Sequence, residues 1–163
     1  MKIALLASFL VMAAYFLLLY AGVGLIQEKK FFSAPREVFA AVPERKAECF
    51  RGAHILGWYL GILAMLLFLG AAVLAAWDGI KNSFPFGAFF ARYLVILYVM
   101  EVYDILFFDW VLLCHSNFFP YFYPEVKGIA APQLFGYNKK AHLTHSLLYI
   151  PLSAALAWVC TLF

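Results

Sequence analysis

Three acidic residues stand inside one apolar stretch of the sequence. Glu101, Asp104 and Asp109 lie within residues 86–113, a run otherwise dominated by aliphatic and aromatic side chains. A carboxylate near the middle of a lipid bilayer costs about 2.5–3.5 kcal/mol on insertion scales. Such a residue faces a protein or water-filled interior, finds a partner there, and commonly marks a functional site. We therefore expect the chemistry of this chain at these three carboxylates.

Helical periodicity places the three acids on one broad face. At about 100° per residue, Glu101 and Asp104 lie about 60° apart, and Asp109 lies about 80° from Glu101 on the other side. Tyr98 lies about 60° from Glu101 and can hydrogen-bond into this face. Arg92 falls roughly opposite Glu101, so we expect its side chain to extend to the outer membrane interface and not to pair with the acids.

The four histidines lie near the ends of apolar runs. His142 and His145 are three residues apart, so on a helix their rings can converge on one point. His54 opens the second apolar run and His115 follows the third. In a helical bundle, up to four imidazoles could therefore meet the carboxylates at one level.

One chemistry that suits this set of side chains is metal binding. Imidazole and carboxylate groups ligate zinc, iron or manganese, and helical bundles place such ligands on facing helices. A His-x-x-His spacing alone is a weak signal, and histidines at helix starts also pair with carboxylates for purely structural reasons. The candidate metal ligands are Asp104, Asp109, His115, His142, His145 and His54.

A second chemistry is the binding and relay of a proton or another cation. Intramembrane acids and histidines form such relays in pumps and transporters. The candidate residues for ion or proton binding are Glu101, Asp104, Asp109 and Tyr98.

Length and composition place this site in a membrane. The chain has 163 residues, of which 66% are hydrophobic and 13% are charged, which is too apolar for a soluble domain. Only a helix satisfies its own backbone in lipid, so an apolar run of about 20 residues predicts a transmembrane helix. We predict a single all-α domain over 1–163, a bundle with spans at 3–26, 53–77, 86–113 and 143–162.

The distribution of basic residues predicts the orientation. The connections 27–52 and 114–141 together hold nine lysines and arginines, whereas Lys2 and Lys81 are the only two clearly on the opposite side. The positive-inside rule then puts both connections in the cytoplasm and both termini outside, in a bacterial-type inner membrane. The net charge of +3 is thus a topology signal, and no basic stripe indicates nucleic-acid binding.

An internal repeat emerges when the sequence is compared with itself at an offset of 88 residues, which brings Val11 onto Val99. Each half then forms a helical hairpin, and two such hairpins would be related by an axis along the membrane normal. Apolar strings also match by chance, so duplication and coincidence both remain open. The scarcest matched residues are Met12 with Met100, Glu37 with Glu125, and His54 with His142.

The second connection is dense in aromatic residues. Such a segment fits an interfacial belt at the headgroup level, or a lid over the acids. Its aromatic residues are Phe118, Phe119, Tyr121, Phe122, Tyr123, Phe135 and Tyr137.

Three functions remain open at this point. The first is cation- or proton-coupled transport of a small solute, with Glu101 and Asp104 binding the ion and His142 and His145 gating or relaying it. The second is a membrane-embedded, metal-dependent enzyme acting on a lipid-like substrate. The third is an accessory subunit whose polar face docks a partner span. Four spans enclose little space, so we also expect a homo-oligomer or a partner membrane subunit.

Overall fold

The computed structural model describes residues 2–31, 34–44, 46–129 and 134–163. These residues form helices joined by turns and irregular segments, and no β-strand occurs among them, so the predicted all-helical architecture is confirmed. The α-helices are α1 (Lys2–Leu19), α2 (Arg36–Ala41), α3 (Ala53–Lys81), α4 (Phe86–Tyr103), α5 (Phe118–Phe122) and α6 (Lys139–Cys160), with π-helices over Tyr20–Ile26 and Asp104–Cys114 and 3₁₀ turns over Lys29–Phe31 and Pro124–Val126.

Three helices are long and apolar enough to cross a membrane. They are Lys2–Ile26 with 25 residues, Ala53–Lys81 with 29 residues and Lys139–Cys160 with 22 residues. At 1.5 Å per residue even the shortest spans about 33 Å, compared with about 30 Å of bilayer hydrocarbon. The remaining predicted span, 86–113, is also helical, over α4 and the π-helix that continues it, but it is not one of these three.

The long helices pack as two pairs. α1 packs mainly against α3, α4 packs mainly against α6, and α1 and α4 meet between the pairs. Small side chains allow the close approach of α1 and α3, because they let two helix backbones come near each other. The fully buried alanines on these two helices are Ala7, Ala14, Ala53, Ala64, Ala71 and Ala75.

Arg92 links α3 to α4 far from the acids. Its Nη1 donates a hydrogen bond to the carbonyl of Ala75 at 2.8 Å, and its Nη2 lies 2.8 Å from Oδ2 of Asp78. The guanidinium lies 4.4 Å from the centre of the Phe84 ring, and the residue is buried. The expectation that Arg92 extends to the interface is therefore wrong, because a carboxylate on the neighbouring helix offers it a partner inside the protein.

The two long connections are joined to each other. Lys46 Nζ donates to the carbonyl of Phe122 at 2.9 Å and lies 3.3 Å from Oε2 of Glu125. Gln27 Nε2 donates to the same Phe122 carbonyl at 3.4 Å, and the backbone of Lys46 donates to that of Gln27. Side chains from the first connection thus hold the end of α5 in place.

The aromatic segment of the second connection faces two ways. Phe119 and Tyr123 are buried, whereas Tyr121 is 78% exposed. Burial raises the pKa of the Tyr123 hydroxyl, and the nearby Cys49 and Glu125 raise it further, so this group stays neutral at ordinary pH. Part of the segment therefore packs onto the helices as a cover, and part points outward as an aromatic belt would.

Candidate functional site

The imidazole of His142 lies between two carboxylates. Its Nδ1 is 2.8 Å from Oε1 of Glu101, and its Nε2 is 2.8 Å from Oδ2 of Asp109. His142 belongs to α6, Glu101 to α4, and Asp109 to the π-helix that follows α4. All three residues are buried, so each ring nitrogen has a carboxylate partner in a place with little access to water.

Two tyrosines and the third acid complete this cluster. The hydroxyl of Tyr149 donates to Oε2 of Glu101 at 2.8 Å. Asp104 Oδ2 lies 3.9 Å from His142 Nδ1, and the hydroxyl of Tyr15 on α1 interacts with the Asp104 carboxylate. We call this group the carboxylate–histidine cluster. Its members are Glu101, Asp104, Asp109, His142, Tyr15 and Tyr149. It joins three helices, α1, α4 and α6.

A change in helix winding positions the acids. α4 becomes a π-helix at Asp104, where hydrogen bonds close from i to i+5 and each turn holds more residues than the 3.6 of an α-helix. On an uninterrupted α-helix Asp104 and Asp109 would point about 140° apart. The wider turn brings residues five apart closer to one face, so Glu101 and Asp109 both reach the imidazole of His142. π-Helical segments occur frequently at functional sites.

His145 flanks the cluster at its exposed edge. Its side chain is 51% exposed, and its Nδ1 lies 3.9 Å from Oε2 of Glu101. Among the described residues, Glu101, His142 and His145 form a group whose ligand atoms all lie within 4.8 Å of one another, close enough to hold a metal ion. Metal binding by His142 requires it to give up one of its two carboxylate contacts, because a ligating nitrogen cannot keep its hydrogen bond.

Tyr98 lies one layer outside the cluster. Its hydroxyl donates to the carbonyl of Ser146 at 3.0 Å, and its ring meets that of Tyr149 edge to face, with 6.1 Å between the centroids. Tyr98 thus supports Tyr149 without contributing an atom to the acids' hydrogen bonds.

The other two predicted histidines lie outside this group. His115 Nδ1 is 2.7 Å from the carbonyl of Trp110, and the residue is exposed. His54 Nδ1 lies 3.7 Å from Oε1 of Glu48, whose carboxylate also accepts backbone hydrogen bonds at the start of α3. The structure therefore brings two of the four histidines to the acids.

A cavity of about 310 Å³ borders the cluster, and we call it the polar cavity. Asp104, Asp109, His142 and His145 line it on the helix side. Aromatic residues of both connections line it too, so the cover formed by the connections lies next to the acids. These aromatic residues are Phe31, Phe119 and Tyr137.

Three tyrosines of this site, Tyr15, Tyr137 and Tyr149, were not predicted as site residues. Tyr15 is a polar residue in the first apolar run, and the offset of 88 residues pairs it with Tyr103. A tyrosine within a span seeks a hydrogen-bond partner, which is the signal that could have indicated it. Tyr137 lies in the aromatic connection, where the sequence offered no way to tell inward from outward rings.

Fold and site define an all-helical chain with three helices that can cross a membrane and a buried carboxylate–histidine cluster between helices. No protein-family model matches this chain, and no curated protein or solved structure is significantly similar to it.

Proposed function

We propose that this chain is a four-span inner-membrane protein that couples the movement of a proton or another cation to the transport of a small solute. The fourth span is Phe86–Cys114, which is helical and packs against α1 and α6. Its acids and Arg92 contact partners inside the protein, which supports insertion despite their charge. Both long connections lie in the cytoplasm.

The observation that carries this proposal is the double engagement of His142. Each ring nitrogen faces a carboxylate oxygen at 2.8 Å. Either an imidazolium donates to two carboxylates, or a neutral imidazole accepts from one protonated acid and donates to the other. Both arrangements carry the same net charge, so a proton can pass between the ring and a carboxyl group without moving heavy atoms. Such a cluster is suited to relaying a proton between His142 and its two acids.

The polar cavity supplies a route for the ion. Asp104 and His145 line the cavity, with side chains that are 17% and 51% exposed. Each also lies next to the buried groups, Asp104 beside His142 and His145 beside Glu101. An ion arriving from the cytoplasm therefore meets Asp104 and His145 first, and Glu101 and His142 receive it from them.

The test is a pH jump on proteoliposomes adsorbed to a solid-supported membrane. The parent protein should give a transient current as protons bind, and a panel of small solutes should include one that converts it into a sustained current. Glu101→Gln and His142→Gln should lose the transient. Glu37→Gln and His115→Gln, which change exposed residues away from the cluster, should keep it. A transient of parental size in folded Glu101→Gln and His142→Gln would overturn the proposal.

A membrane-embedded, metal-dependent enzyme acting on a lipid-like substrate is the second candidate. The observation that favours it is the close approach of ligand atoms from Glu101, His142 and His145. Metal analysis of the purified protein distinguishes the two functions. Stoichiometric zinc, iron or manganese that is lost in both His142→Ala and His145→Ala would support the enzyme, and metal below stoichiometry in the parent would count against it.

A further inference from the structure

An apolar groove runs beside the helices that carry the polar cavity. It has a volume of about 480 Å³ and lies between α3 and α1 with its π-helical continuation. Trp58, Gly61, Met65 and Leu66 line the α3 side, and nothing lies within 4 Å of the position where Gly61 would carry a Cβ. The volume falls within the range of about 300–1,000 Å³ found for small-molecule sites. We call it the α1–α3 groove.

The α1–α3 groove and the polar cavity adjoin each other. Leu18 and Phe31 line both of them. The Phe31 ring also meets Trp58 edge to face, with 5.8 Å between the centroids, so Phe31 stands where the groove reaches the connections. An elongated molecule that reaches past Leu18 and Phe31 would lie with an apolar part in the groove and a polar end in the cavity.

Charge decides which polar end fits. The cluster holds three carboxylates, on Glu101, Asp104 and Asp109. Two imidazoles lie beside them, those of His142 and His145, so the acids outnumber the histidines and negative charge is in excess beside the cavity. Such a site attracts a cation and repels an anion of the same shape. Lys30 lies over the rings at the groove's end, 5.7 Å from the Trp58 centroid, but Glu28 pairs with it and offsets its charge.

We propose that the solute is a hydrophobic cation, a molecule with a hydrocarbon chain that lies in the α1–α3 groove and an ammonium head that binds beside Asp104. This proposal rests on the proposed function in one respect, because it names the solute that would be transported through the same site. Ammonium and proton compete for the same carboxylates, which is the coupling that an exchange of one for the other requires.

The experiment uses a brominated amphiphile, because bromine quenches tryptophan fluorescence at close range and Trp58 lines the groove. 12-Bromododecyltrimethylammonium is titrated onto the protein in liposomes with no ion gradient. The expected result is a saturable quenching component that is lost in Trp58→Phe and reversed by dodecyltrimethylammonium. The chain-matched anion 12-bromododecanoate should give no saturable component.

Paired variants separate the groove from the head site. Gly61→Phe should abolish the saturable quenching, whereas Gly70→Phe, on the same helix and also in open space but outside the groove, should not. Asp104→Asn should weaken binding, whereas Glu37→Gln should not. Quenching that is unsaturable, or equal in Gly61→Phe and the parent, or equal for the anion, would overturn the proposal.

The outcome is independent of the proposed function. Quenching is measured at equilibrium, so it succeeds or fails whether or not protons move. If the saturable quenching is absent and the pH-jump current is intact, the proposal of ion-coupled transport stands, but with another solute. An intact groove signal without that current leaves a binding site for hydrophobic cations and removes the transport function.

Discussion

At the scale of single residues, one imidazole holds the site together. His142 reaches Glu101 with one nitrogen and Asp109 with the other, and Tyr149 fixes the second oxygen of Glu101. Hydrogen bonds to charged groups contribute about 1.5–3 kcal/mol, roughly twice the value for neutral pairs. The contacts on which the proposed proton exchange depends therefore also bind α6 to α4.

Removal of the Tyr149 hydroxyl should be measurable as lost stability. Tyr149→Phe keeps the ring and removes the bond to Glu101, so we expect the free energy of unfolding to fall by about 1.5–3 kcal/mol. Tyr121→Phe, in which the altered residue is 78% exposed, serves as the control and should change it little. Denaturant titration in detergent micelles measures both, and equal stability of the two variants would contradict the importance of this bond.

Single residues also show how much of the site could be predicted from the sequence. The acids were predicted as the site because a carboxylate within a span is costly and must have a reason to persist. The placement of Arg92 was predicted wrongly, because its partner Asp78 comes from another helix and helical periodicity says nothing about neighbours. Which two of the four histidines meet the acids likewise depended on packing that one sequence does not specify.

At the scale of elements, each helical pair is held by a different kind of contact. α1 and α3 pack through buried alanines, whereas α4 and α6 meet through the carboxylate–histidine cluster. One link between α3 and α4 is the ion pair of Arg92 with Asp78 at 2.8 Å. Breaking a buried ion pair by removing one partner costs about 3–5 kcal/mol.

Neutralising Asp78 should therefore loosen α3 from α4. Asp78→Asn leaves the buried guanidinium of Arg92 without its charge partner, and we expect a loss near the lower end of about 3–5 kcal/mol, because the Asp78 side chain is one-fifth exposed. The double variant Asp78→Asn with Arg92→Leu should lose less stability than the sum of the losses in the two single variants. Thermal unfolding of the four proteins measures this coupling, and strict additivity would refute it.

At the scale of the whole molecule, the four long helices form two hairpin-like pairs. The two π-helices end at Ile26 and Cys114, positions that the offset of 88 residues superposes. The predicted duplication stays a prediction. The helical architecture could be read from composition and apolar runs, because a chain in lipid has few ways to satisfy its backbone. Composition and apolar runs could not show the change to π-helix, since no residue propensity marks it.

Orientation can be tested with the cysteines. Cys49 is exposed in the first connection, and Cys114 and Cys160 are buried. A membrane-impermeant maleimide should label Cys49 in inside-out vesicles and leave it unlabelled in intact cells, because the proposed topology places the first connection in the cytoplasm. Ser83→Cys in a Cys49→Ser background places the thiol in the exposed turn between α3 and α4 and should show the reverse pattern. Labelling of Cys49 from outside intact cells would invert the proposed topology.

The π-helix that follows Tyr103 is reflected in the sequence spacing of the three acids. Glu101 and Asp104 are separated by three residues, as on an α-helix, but Asp104 and Asp109 are separated by five. Hydrogen bonds in a π-helix join residues that are five apart. Charged side chains that contact the same partner must therefore have a spacing that matches the local type of helix. A three-then-five interval of acids in an apolar run is thus a readable sign that a helix changes pitch between them.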